Sequence, residues 1–369
     1  MKIRPKGRKI YRHRTAAEKL RDFGTNTASL LGTLLAASVM VIVGYSAGKP
    51  LLQFLNESRI LAVPNEVQET LPLTEPPTEA PVTETETAAP TTEPEPQQRE
   101  APEMQGYILP EDSLTAQSPF EEAVKAIPEG TTHVFVPLKT KGGYLYYATD
   151  LQDAAKSGAV RAALPLTSIY EAIAAKGAEP VALINTLEDS VYPQSYPDSA
   201  YRYAGSDELW LDTSPENGGK PMLSPFKEMT LDYLGNIAAE IKAAGFESIA
   251  CDGLRFPDFT EEELSRLDSR VGQNARYTAL TAVVEAMRKA APHMHYYTLV
   301  SGTDILNNRS DAIAASNDIE LEAILCKVDS LSAANVEMLR TLPDENPVVF
   351  IWDGVSVPES EKSYIRYAE

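Results

Sequence analysis

Short apolar runs and stretches of helical period alternate from about Gly106 to the end of the chain. THVFVPLK, Thr132–Lys139, is a continuous apolar run of strand length, and GYLYYAT, Gly143–Thr149, reads as its hairpin partner or extension. LQDAAKSG is a short helix, and AALPL, Ala162–Leu166, predicts a second barrel strand. Ser168–Ala178 keeps Ile169, Ile173 and Ala174 on one helical face and runs into a glycine stop. PVALINT, Pro180–Thr186, gives a third strand. A loop rich in Tyr, Pro and Asp follows to about Pro225, and then a helix spaces Met229, Tyr233, Ile237 and Ile241 on one face before Gly245 ends it. FESIACDGLRF is the fourth strand. A helix through Arg276–Ala290, a strand HYYTLVS, an apolar segment LEAILCKVDSL, a helix around Val336–Leu342 and a strand PVVFIW complete the run.

Strands alternating with helices predict a parallel sheet covered by helices, the α/β class. No Gly-x-Gly-x-x-Gly or Walker loop follows the first strand, which disfavours a nucleotide-binding doubly wound sheet. About 260 residues suit a (β/α)8 barrel of TIM type. Seven strands can be read, so the eighth is supplied by ESEKSYIRYAE, hidden in another segment, or absent.

The chain before this alternation has a different texture. Residues 1–27 form a basic tail, and no charged residue occurs between Asp22 and Lys49. Residues 28–48 are therefore long and apolar enough for one transmembrane helix. With the positive charge upstream, the N-terminus is expected in the cytoplasm and the remainder outside the cell membrane. A cleaved signal peptide is the rival, but Tyr45-Ser46-Ala47 is a poor cleavage site. Residues 49–105, rich in Pro, Thr and Glu, offer nothing to bury and read as a disordered linker. In polyproline form, at ~3.1 Å per residue, about 45 residues of it reach on the order of 100–150 Å. Residues 106–369 are then the folded domain.

Charge sharpens the picture. Residues 1–49 hold ten Lys/Arg against two acids, +8, so the rest carries −28 of the chain's −20. That acidity disfavours nucleic acid as a partner. Cys251 and Cys326 sit in apolar stretches and read as buried free thiols. No metal-ligand spacing is visible and no cofactor is implied, although two or three carboxylates could hold calcium without a recognisable motif.

In a barrel of this kind the site forms where strands end. Asp252 ends the fourth strand, Asp304 lies beyond the fifth and Asp353 follows PVVFIW; these are the candidate catalytic acids. Glu188 and Asp189 follow PVALINT, and Lys139 ends the first apolar run. Trp210, Trp352, Tyr192, Tyr196, Tyr201 and Tyr203 fall on the same side and could supply faces for sugar rings. Glycoside hydrolysis uses a pair of carboxyl groups flanking the bond. Any one such Asp is more often a helix cap or a solvated group. Asp252 stands out because an ionised carboxylate at the end of an apolar strand needs a partner, and Arg255 is three residues on. A structural Asp–Arg pair closing the barrel top fits that pattern equally well.

GFESIACDGLRFPDF resembles the motif of a bacterial family of glycosyl-hydrolase-type domains related to α-amylase-type barrels, matching at Gly245, Phe246, Asp252, Arg255, Phe256 and Pro257. The resemblance runs from about His133 to Phe259. It implies a glycoside hydrolase acting on an extracellular or envelope polysaccharide. Asp252 would be the central carboxylate with Asp304 or Asp353 as its companion, and Glu188, Asp189, Lys139, Arg255, Trp210 and Trp352 would bind substrate. The chain departs from the family pattern: Pro137 stands where an acid is usual, HYYTLVS lacks one, VDSLSAAN lacks a Met-x-Tyr-Pro signature, and Gly253 replaces a tyrosine. Such losses imply the alternative, an inactive membrane-anchored barrel that binds glycan or envelope components.

Overall fold

The computed structural model describes residues 101–162, 164–272, 275–307, 320–328, 331–340, 346–353 and 356–368. The basic tail, the apolar span and nearly all of the Pro/Thr/Glu-rich stretch lie outside them. Among the described residues no helix is long and apolar enough to cross a membrane.

Eight parallel strands close into a barrel in chain order: β1 (Gln105–Ile108), β2 (His133–Lys139), β3 (Glu179–Asn185), β4 (Ser248–Asp252), β5 (His295–Ser301), β6 (Ala323–Lys327), β7 (Val348–Trp352) and β8 (Tyr364–Tyr367). The fold is the predicted (β/α)8 barrel, and it is complete. The stretch ESEKSYIRYAE supplies β8, which pairs with both β7 and β1. Two strand assignments change. Ala162–Leu166 is not a barrel strand, because β2 pairs directly with β3 and leaves no place between them. Pro165 makes only an isolated bridge to Ala148, and a helix runs from Leu166 to Ala174. The first strand is instead the four-residue QGYI of β1, too short to show a period.

Side chains alternate between two apolar regions, as the strand period requires. Phe135, Val181, Ala250, Leu299, Leu325 and Val349 fill the inside of the barrel. Val134, Ala182, Ile249, Cys251, Ile324 and Phe350 face outward and pack beneath the helices. The helix Glu228–Ala243 buries Tyr233, Leu234, Ile237, Ala238 and Ile241 there, largely the face that its sequence spacing predicts. Both cysteines are free and buried, and burial pushes the Cys251 thiol up to about 12.

Two glycines are fixed by their surroundings. Gly143 has φ +100°, and a Cβ there would sit 1.9 Å from Asp189 Oδ1. Gly253 has φ +62°, and a Cβ there would meet Asn185 Oδ1 at 2.5 Å. Only glycine suits both the left-handed backbone and the missing space.

Candidate active site

The strand parity that fills the barrel with apolar side chains ends, at its C-terminal rim, in polar ones. Two residues beyond the inward-facing Ala250, Leu325 and Leu299 come Asp252, Lys327 and Ser301. Asn185 ends β3 opposite Asp252 in the ladder. Asp252 is half-buried, accepts the Gly253 backbone N–H at 2.9 Å, and has Lys327 Nζ 4.0 Å from its Oδ2. Lys327 also lies 5.8 Å from the centre of the Tyr367 ring. Burial first of all raises the Tyr367 phenol; Lys327 opposes that rise, and Asp252 and Asp353 add to it.

Beside this group Arg255 joins two acids. Its Nη2 donates to Glu188 Oε1 at 2.9 Å, and its Nη1 stands 3.5 Å from Asp304 Oδ2. Lys141 approaches the same Glu188 oxygen at 3.4 Å, and Asn185 Nδ2 donates to Glu188 Oε2 at 3.1 Å. Burial alone would raise the Glu188 carboxyl. The hydrogen bonds from Arg255 and Asn185, with the charges of Arg255 and Lys141, outweigh it and hold the group below the usual carboxylate range. Arg255 does not pair with Asp252 as its spacing suggests; the cation beside Asp252 is Lys327.

Asp252, Glu188, Asp304, Arg255 and Lys327 line one cavity of about 230 Å³. A neighbouring cavity of about 380 Å³ shares Lys141, Glu188 and Arg255 and adds Trp210, Met222 and Phe256 as an apolar wall. The mouth is thus a two-part depression divided by the Glu188–Arg255 pair.

The remaining candidates are placed differently. Lys139 and Asp189 form an ion pair at 3.0 Å with both side chains closed to solvent. Lys139 also donates to the carbonyl of Asn185 at 2.7 Å, and Asp189 Oδ1 accepts the N–H groups of Val191 and Tyr192 at 2.9 and 3.0 Å. This pair braces the loop after β3 and offers nothing to a ligand. Trp352 follows the outward parity of Phe350 and packs on the core beneath the helices, so it is not a platform in the mouth. Trp210 is 3% exposed, gives its indole N–H to Glu263 Oε1 at 2.7 Å, and stands edge-on to Phe259. It is a wall of the cleft rather than a free face. Asp353 is exposed just beyond β7. Sequence reasoning missed Lys327, Lys141 and Asn185. The first and last share a signal: a polar residue closing an apolar strand at inward parity.

Among the described residues, no group of three or more His, Cys, Asp or Glu side chains is spaced to hold a metal ion.

An eight-stranded parallel barrel with carboxylates and cations converging on its C-terminal mouth has the architecture on which barrel enzymes build their sites. The chain belongs to the family described as "Putative glycosyl hydrolase domain", whose profile matches residues 107–333, more than half of its length. No curated protein matches the sequence. Among solved structures it overlaps a hypothetical protein from Ruminiclostridium thermocellum at 18% identity and TM-score 0.44, over 52% of this chain and 96% of that one. It overlaps an α-galactosidase from Thermus thermophilus at 12% identity and TM-score 0.38, over 55% and 39% of the two chains. A morphinone reductase overlaps at 13% identity and TM-score 0.42, over 70% and 81%. Overlaps of this size do not separate one activity from another.

Proposed function

We propose that this chain hydrolyses a glycosidic bond in a polysaccharide outside the cell membrane, with Asp252 as the carboxylate that attacks the anomeric carbon or takes a proton from the attacking water. The observation that carries this reading is the cavity shared by Asp252, Asp304 and Glu188 at the barrel mouth. Hydrolysis requires a second carboxyl to protonate the leaving oxygen, and an acid suited to that role has a raised pKa. Glu188 is shifted the other way, so it serves to hold Arg255 and to border the sugar site. Asp304, on the same cavity, is the favoured acid, and Asp353 is the runner-up. A panel of neutral and charged polysaccharides, assayed for new reducing ends with wild type, Asp304→Asn and Asp353→Asn, assigns that role. The expected outcome is a loss of roughly 10²–10⁴-fold in one variant only; full activity in both removes the pairing.

A second reading, glycan binding without turnover, is favoured by the cations that stand beside the acids: Lys327 at Asp252, and Arg255 at Glu188 and Asp304. Saturable binding of a glycan with no release of reducing ends would select it.

We further propose that residues 28–48 anchor the chain and that the Pro/Thr/Glu-rich stretch before β1 carries the barrel outward. Protease added to intact cells should then cut between the anchor and the barrel; complete resistance contradicts the topology.

A further inference from the structure

The loop after β3, which borders the mouth, also borders a second groove of about 740 Å³. Its size falls within the ~300–1,000 Å³ of small-molecule sites. Five acids line it, Asp150, Asp153, Asp198, Glu228 and Asp232, and no Lys or Arg is among its lining residues. Two of the five are engaged: Asp153 accepts the Tyr196 hydroxyl at 2.9 Å with Lys156 3.9 Å away, and Asp198 pairs with Arg202 at 2.7 Å. Asp150, Glu228 and Asp232 are exposed.

A second, independent feature is aromatic. Tyr196 stacks on Tyr192 with centroids 4.6 Å apart, and Tyr192 stacks on Tyr233 at 3.8 Å. Both outer members of this ladder and its centre line the groove. Tyr192 is 3% exposed, yet its hydroxyl has no hydrogen-bond partner among the described residues. Burial, then Asp153 and the other nearby phenol and carboxyl groups, push it up to about 12, so it stays a neutral hydroxyl at any physiological pH. A hydroxyl that opens from a buried ring onto the wall of an acidic groove suits a polar, positively charged ligand.

We propose that this groove is a subsite for a glycan chain bearing protonated amino groups, adjoining the barrel mouth. The proposal rests on the hydrolase reading and names the class of its substrate. Three facts favour such a chain over other cations. The carboxylates are spread around the groove and do not converge as a metal site does. A polymer with one charge per sugar matches that spread. One loop also serves both places: Glu188 and Ser190 line the mouth, while Tyr192 and Tyr196 line the groove. The proposed chain runs along this loop from the mouth to the groove. The tyrosine hydroxyl and the carboxylates provide acceptors for ammonium and hydroxyl groups together, which a bare cation would not use.

The test is isothermal titration of the full-length chain with the glucosamine hexamer at a pH where its amines are charged, beside the N-acetylglucosamine hexamer and hexalysine. The chain should bind the glucosamine hexamer at least tenfold more tightly than either control, with affinity falling as salt is raised. Asp150→Asn/Asp232→Asn should weaken that binding at least tenfold while its thermal unfolding is unchanged. Tyr192→Phe, which keeps the stack and removes only the hydroxyl, should weaken it as well. Equal binding by wild type and the double variant, equal binding of hexalysine, or no binding of the glucosamine hexamer overturns the proposal. Hydrolysis is read separately through Asp252→Asn. Glycan cleavage that ignores the groove variants leaves the mouth reading standing and the groove reading lost; groove-dependent binding without any cleavage does the reverse.

Discussion

Lys139 closes an apolar strand and Asp189 follows the next one, which by position alone makes both mouth residues. The chain folds over them, and the charges meet each other at 3.0 Å with no water contact. Removing one partner of such a pair strands the other charge in a dry interior, at a cost of about 3–5 kcal/mol. Asp189→Asn should therefore lower unfolding stability by that amount in a denaturant titration; a change under ~1 kcal/mol contradicts the bracing role. Gly143→Ala adds a Cβ against the same carboxylate and should destabilise as well. Glu188 gives a pH signature. Its folded carboxyl sits below the ordinary 4.5, so the unfolded chain takes up the proton first. The stability it contributes is whole above about pH 4.5 and drains away as pH falls through the lower, folded value. Glu188→Gln should flatten that part of the acid limb of stability against pH; an unchanged limb contradicts the Arg255–Glu188 assignment. These burial and pairing facts could not be read from spacing. Arg255 is three residues from Asp252 in the chain, but its guanidinium turns to Glu188 and Asp304, while the cation near Asp252 comes from β6.

At the scale of elements, what could be read from sequence follows how completely each strand is buried. The cores of β2, β3, β4 and β7 are continuous apolar runs because parallel strands are covered on both faces. β1 and β8 are four residues each, and QGYI and YIRY carry no such run. Ala162–Leu166 is apolar for another reason: Ala162, Leu164 and Leu166 are buried in the segment that leads into a helix. The mouth was half legible. Strand ends located Asp252, but a strand apolar on both faces does not reveal that the face shared by Phe350 and Trp352 is the outward one. Among the described residues, β8 is the strand that joins β7 to β1 in the closed ring. Ending the chain after Lys362 leaves both neighbours with unpaired edges, so the truncated protein should lose cooperative unfolding or aggregate. A sharp, unshifted thermal transition in that truncation would show that closure is not needed for the fold.

At the scale of the whole molecule, the family match covers 107–333, while the barrel continues through β7 and β8 to Tyr367. Asp353 and Tyr367, both electrostatically linked to the Asp252 neighbourhood, lie beyond that match. The final strands thus complete the barrel beyond the matched span. Net charge works at this scale too. The chain is −20, yet Lys141, Arg255 and Lys327 gather around the mouth acids, while the second groove is lined by five acids and by no Lys or Arg. On the proposal above, that distribution would orient a cationic polymer toward the mouth. The most direct measurement is reducing-end release from the best polysaccharide of the panel by wild type and Asp252→Asn at equal concentration, with glycan binding measured in parallel. The account expects release to fall by roughly 10²–10⁴-fold while binding is retained; equal release by the two proteins would contradict it.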